Sequence, residues 1–171
     1  MSIGQAFAAE LELEAATTRR CLERIPEAKL GWKPHEKSMT MGELAAHIAN
    51  MTNWAHVTMT QDVFDMNPPG GPQFQSPKVD SIPDLLTYFD KGVAQAKDSM
   101  RASEDAKWMT NWSLADAGKT LMTLPRVAVM RSFVMNHIVH HRGQLSVYLR
   151  QCDVPVPSIY GPSADEGPFG M

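Results

Sequence analysis

The chain has 171 residues, 43% of them hydrophobic and 20% charged, the balance of an ordinary globular chain rather than a disordered or membrane-embedded one. A formal net charge of -3 and the lack of any Lys/Arg cluster argue against nucleic acid as a partner, and no apolar run approaches a membrane span. One domain over 1–171 is the expectation at this length, and Cys21 and Cys152 are too few for a disulfide framework. They are expected as reduced thiols in a cytoplasmic protein, since Met1 to Glu14 mixes glutamates with short apolar runs and does not read as a secretory leader.

Four helical segments emerge in chain order. The first runs from Ser2 to about Ile25, opened by the capping box Ser2-x-x-Gln5 and stopped by Pro26, with Phe7, Leu11, Ala15, Thr18 and Leu22 on one stripe. A turn-rich loop holds Trp32, Pro34 and His35. The second helix starts at Thr40, where Thr40-x-x-Glu43 repeats the capping pattern, and its inner face carries Leu44, His47, Ile48, Met51 and Ala55. A Pro/Gly-rich loop from Asn67 to Lys78 separates it from the third helix, which Ser81-x-x-Asp84 opens and Leu85, Phe89, Gly92, Ala96 and Met100 continue.

Between Ser103 and Thr123 the helical period fails, and Asp116-Ala-Gly118 has the composition of a turn, compatible with a short hairpin. The fourth helix is expected from near Thr123 to about Gln151, with Pro125 in its first turn. From Asp153 to residue 171 the prolines predict an extended tail. The fold class that follows is all-α, a four-helix bundle, in which metal sites are built from facing core side chains.

His137 and His141 stand four residues apart in Asn136-His-Ile-Val-His-His-Arg-Gly-Gln144, so both imidazoles can lie on one helix face and reach one metal ion. The zinc-protease pattern H-E-x-x-H is absent, since Ile138 occupies the glutamate position. Met130, Phe133, Val134, His137, His141, Gln144 and Tyr148 share one sector of the helix, and Arg142 points away from it toward the surface. His140 falls on the sector's edge, and geometry alone leaves it open as the second ligand. His47 supplies a third inward imidazole, whereas His56 faces nearly the opposite side and His35 lies in a loop. Three buried imidazoles need partners for their ring nitrogens, and a shared metal satisfies one nitrogen on each. By helical phase Asn50, Met51, Trp54 and Gln144 project near the ligands and line a pocket. Twelve methionines, Trp108 and Trp112 read as core filling.

Three pieces in this order carry a resemblance: Trp32-Lys-Pro-His-Glu-Lys-Ser-Met-Thr-Met-Gly-Glu-Leu-Ala-Ala-His47, then Asn136-His-Ile-Val-His-His-Arg-Gly-Gln144, then Val154-Pro-Val-Pro-Ser-Ile-Tyr160-Gly-Pro-Ser-Ala-Asp165. With them the chain resembles the DinB/YfiT-like family of metal-dependent enzymes over nearly its full length. The resemblance implies an up-down-down-up four-helix bundle with a divalent metal, nickel or zinc, held by His47, His137 and His141, leaving His140 beside the ligands. It also implies a homodimer. Characterised relatives include S-transferases that use a low-molecular-weight thiol, bacillithiol or mycothiol, and a mycothiol-dependent maleylpyruvate isomerase.

The functional expectation is a metal-dependent enzyme, a thiol-dependent S-transferase or a hydrolase, whose partner is a small electrophilic substrate. Three neutral ligands leave the metal its full charge, so a bound water or thiol loses its proton near neutral pH. Glu43 is the only acid near the ligands on these faces, and capping already accounts for it. Two competing expectations are a non-catalytic, dimeric metal-binding stress-response protein and a dimeric interaction module without metal.

Overall fold

Helix ends in this chain are set by side chains a few residues away, and two capping boxes and one simpler cap do most of that work. The computed structural model describes residues 1–167. Helix α1 (Ile3–Glu23) begins where Ser2 Oγ accepts the Gln5 N–H and Gln5 Oε1 accepts the Ser2 N–H. Helix α2 (Met41–Thr60) repeats this, with Glu43 Oε2 accepting the Thr40 N–H at 2.7 Å. After the short strand β1 (Val63–Asp65) and a long loop, α3 (Ile82–Arg101) is capped by Ser81, which accepts the Asp84 N–H. One turn, α4 (Asp105–Trp108), leads into strands β2 (Asn111–Asp116) and β3 (Lys119–Pro125). The chain closes with α5 (Arg126–Val129), a π-helical segment (Met130–Met135) and α6 (Asn136–Gln151), continuous in sequence.

The strands correct the all-α expectation. β2 and β3 form an antiparallel hairpin, and β1 adds to β2 in parallel, giving a three-stranded sheet in the order β1-β2-β3. The hairpin turn is Ala117-Gly118, with φ of 49° and 78°, the two left-handed residues that a tight turn matched to strand twist requires. The last helix therefore starts at Arg126 instead of near Thr123. Thr120, Met122, Thr123 and Leu124 pair across to β2, with Leu121 left unpaired at a bulge, and Pro125 sits at the N-cap rather than in the first turn.

α3 packs against both α1 and α2, and α6 packs against the same two helices from the other side. α2 and α3 approach closely at Gly92, where a Cβ would come within 2.0 Å of Thr52 Oγ1. One apolar cluster, including Leu22, Leu44, Ile48, Phe89, Leu145 and Leu149, fills one stretch between the helices. A second, including Phe7, Leu11, Met51, Met59, Trp108 and Val134, fills another, and Trp112, Leu114 and Val129 seal the sheet. Trp108 and Trp112 are fully buried, in keeping with their reading as core. Among the described residues no helix is long and apolar enough to cross a membrane.

Arg142 is not on the surface, as helix phase predicts, but 1% exposed. Its guanidinium pairs with the Glu14 carboxylate at 2.7 Å and donates to the Glu14 carbonyl, Thr18 Oγ1 and Tyr160 Oη. A helical wheel cannot reveal this, because the covering residue comes from the tail. The Tyr160 ring lies 5.0 Å from the guanidinium carbon. The tail is pinned by further polar contacts: Arg20 donates to the Ser158 carbonyl, Asp165 accepts the Val156 N–H, and Arg24 pairs with Glu166. Residues 168–171 of the expected extended tail lie outside the described residues.

Removing a buried charge that satisfies another is expensive, whereas exposed pairs contribute little. Arg142→Ala is expected to lower unfolding stability by on the order of 3 kcal/mol in urea titrations. Arg150→Ala, which removes only the exposed pair with Asp165, is expected to leave the urea midpoint nearly unchanged in the same assay.

Candidate metal centre

α2 and α6 lie against each other, and each turns histidine toward the seam. One ring nitrogen from each of His47, His137 and His141 lies within 4.8 Å of the other two. Ring centroids are 5.0 Å apart for His47–His137 and 4.6 Å for both His47–His141 and His137–His141. His47 Nε2 faces His137 Nε2 at 3.2 Å.

The outer nitrogens of His137 and His141 are already committed. His137 Nδ1 lies 3.3 Å from the Phe133 carbonyl, in the π segment one turn earlier, and His141 Nδ1 lies 2.6 Å from Gln144 Oε1. Both partners accept, so each Nδ1 carries the proton and each Nε2 presents a lone pair, the arrangement that orients metal-binding imidazoles. Burial lowers the pKa of all three rings. For His47, burial and then the neighbouring His141 and His137 hold it down to about 4, so at neutral pH the cluster is uncharged.

This donor set fits a divalent ion. Two nitrogens each about 2.0–2.1 Å from a tetrahedral zinc lie roughly 3.3 Å apart, close to the separation of the two Nε2 atoms. Among the described residues no fourth His, Cys, Asp or Glu joins the three.

The other expected residues fall in different places. His140 is exposed, its ring stacked edge-on 4.8 Å from His141. His56 binds Ser99 Oγ on α3, and His35 Nδ1 accepts the Lys37 N–H, both apart from the cluster. Of the residues assigned to the pocket, Gln144 touches His141 directly. Asn50 is 5% exposed, and its Oδ1 accepts the Tyr88 hydroxyl on α3. Met51 is 2% exposed in the core beside Met135 and Ile138, and Trp54 stacks edge-on with Phe64, Phe74 and Trp112.

Beside His47 opens a cleft of about 430 Å³, lined by Lys37, Ser38, Met39, Glu43, Ala46, Ser76 and Pro77. Most of these walls come from loops, and helical periodicity points only to Glu43 and Ala46, on the turn before His47. Hydrogen bonds from Thr40 hold the Glu43 carboxyl below the usual range, so it stays ionised and bound to its cap.

The model of the DinB family matches residues 1–168. The chain belongs to the DinB family. It is 26% identical to the uncharacterized protein YrdA of Bacillus subtilis (strain 168) over 168 residues, covering 96% of this chain and 93% of that one. Crystal structures of two DinB-like proteins share its fold. One from Bacillus cereus ATCC 10987 has a TM-score of 0.68 at 21% identity, covering 90% of this chain and 95% of that one. YjoA from Bacillus subtilis has a TM-score of 0.65 at 19% identity, covering 86% and 92%.

In this DinB-family chain the histidine cluster makes stability depend on pH in the metal-free state. An unfolded imidazole takes a proton near pH 6.5, but folded His47 resists until about 4, so between these values the unfolded chain binds more protons. Stability therefore falls on acidification through that window. Urea midpoints of chelator-treated protein should decline from pH 6.5 to 4, and His47→Gln should flatten the decline; an equal slope in the variant would remove His47 as its source.

Proposed function

We propose that the chain is a divalent-metal-dependent enzyme acting on a small electrophile, as a thiol-dependent S-transferase or a hydrolase. One observation carries this reading: three neutral histidines converge beside an open cleft, and no fourth protein ligand closes the set among the described residues. A closed four-ligand site would instead favour a purely structural metal. The ligands are His47, His137 and His141, and nickel or zinc suits imidazole donors. The up-down-down-up order of the four long helices and a homodimeric assembly belong to the same reading.

Held by uncharged ligands, a divalent ion supplies Lewis acidity that lowers the pKa of a bound water or thiol and polarises a carbonyl. The protein's own part is orientation. Gln144 and the Phe133 carbonyl hold the protons of His141 and His137 on Nδ1, away from the centre. Lys37, Ser38 and Ser76 give the cleft polar groups for a substrate, and Ala46 and Pro77 give it an apolar wall.

Neither cysteine is placed to supply a thiol nucleophile at the histidines: Cys152 caps the far end of α6, eleven residues and about 16 Å of helix beyond His141. Cys21 is fully buried, and burial pushes its thiol up to about 11, so at neutral pH it is not a thiolate. This supports a low-molecular-weight thiol as co-substrate in the transferase version.

Protein purified without chelators should carry about one metal per chain by elemental analysis, the stoichiometry of a single three-histidine site. His47→Ala, His137→Ala and His141→Ala should each lose it, and His56→Ala should keep it. Gln144→Ala should retain the site with metal affinity weakened about 10–100-fold in competition titrations, the usual effect of freeing a ligand's outer nitrogen. Full metal content in the three ligand variants would remove the assignment.

A further inference from the structure

The stretch between β1 and α3 leads from the aromatic cluster to the histidine cleft. At its start, Asn67 Nδ2 donates to Asp116 Oδ1, and the Phe74 N–H returns to the Met66 carbonyl at 2.7 Å, closing residues 66–74 into a loop. Beyond Phe74 the support changes. Among the described residues, 75–80 make no backbone hydrogen bond, and Pro77 has no N–H to give. Ser76 and Pro77, in the middle of that unsupported run, form one wall of the cleft at His47. On the far side Val79 packs on the core and Ser81 caps α3.

What precedes the wall is one aromatic side chain held by two others. Phe74 is 38% exposed, yet its ring sits edge-on to Trp54 at 6.1 Å and to Phe64 at 5.9 Å. Trp54 lies seven residues after His47 on α2, on the same face and about 10 Å further along the axis. Three residues of extended chain reach about the same distance, so from Phe74 to Pro77 the backbone runs beside α2 from the aromatic contact to the cleft.

We propose that Phe74 is a positioning residue for the histidine site: seated against Trp54 and Phe64, it fixes Ser76 and Pro77 as the outer wall of the cleft and limits which molecules reach His47. This rests on the cleft being the approach to the site, as in the function proposed above. Replacing the ring leaves the Phe74 N–H bond to Met66 in place, so only the wall is released.

The test uses the whole metal-free chain and carbethoxylation of histidine by diethyl pyrocarbonate, read residue by residue by peptide mass spectrometry. Phe74→Ala should raise the rate at His47 roughly tenfold, as expected for a locally released segment, with His35 and His56 unchanged as internal references. Phe74→Tyr, which keeps the ring, should react as the natural chain does. An unchanged His47 rate in Phe74→Ala overturns the proposal, and so does an equal rise at all histidines, which would mean general loosening. Equal acceleration in Phe74→Tyr also overturns it. The readout needs no metal, so a chain that takes up no metal yet responds at His47 sinks the enzyme reading and leaves the wall standing.

Discussion

Three imidazoles within 4.8 Å of one another, with no carboxylate among them, are the constraint around which this molecule is arranged. Such a group cannot carry three positive charges, and its members remain half-buried as neutral rings whose nitrogens need partners. At His137 and His141 the protein meets the outward half of that demand itself, through the Phe133 carbonyl and Gln144 Oε1. The inward half faces a common centre. A polar cluster poised in this way requires that α2 and α6 keep a fixed rotation relative to each other, since one residue of slip would carry an imidazole about 100° around its helix.

Two buried guanidinium groups anchor the final helix to its neighbours at either end of the histidine-bearing region. Arg142, next to His141 in sequence, reaches across to Glu14 and Thr18 on α1 and is covered by Tyr160 of the tail. Arg126, also 1% exposed, donates to the Thr58 and Gln61 carbonyls at the end of α2 and to the Asn111 carbonyl at the start of β2, and pairs with Asp62. One fastens α6 to α1, and the other fastens the start of the final helix to the end of α2. Each is a charge that the interior tolerates because its hydrogen bonds are met, and each ties together elements distant in sequence.

What the sequence made legible follows the reach of its signals. Ser2, Thr40 and Ser81 act within three residues, so the starts of α1, α2 and α3 could be read directly. The four-residue spacing of His137 and His141 and the helical phase of His47 pointed to the cluster for the same reason. Rotation alone left His140 open, and the resemblance to relatives chose His141; in the structure His141 is the one turned inward, 9% exposed, while His140 faces out. Features made by long-range pairing were not legible. The three residues of β1 are a strand only because β2 lies beside them, and Arg142 looks superficial until a tail eighteen residues away folds over it. The cleft walls at Ser38, Ser76 and Pro77 belong to loops, where no periodicity announces a direction.

The π segment between Val129 and Asn136 has a bearing on how this architecture can vary. A π turn holds more residues than an α turn, so it takes up an added residue without breaking the helix. Here it separates the part of the helix that receives the hairpin from the part that carries the histidines, and it places the Phe133 carbonyl under His137. The sheet side and the histidine side are thereby out of phase with a single continuous α-helix. Deleting one residue between 130 and 135 would restore regular winding and force one side to turn against the other. A chain with one residue more or fewer here would therefore have to change the hairpin's seating or the histidines' aim, so the two ends of the helix are coupled through these six residues.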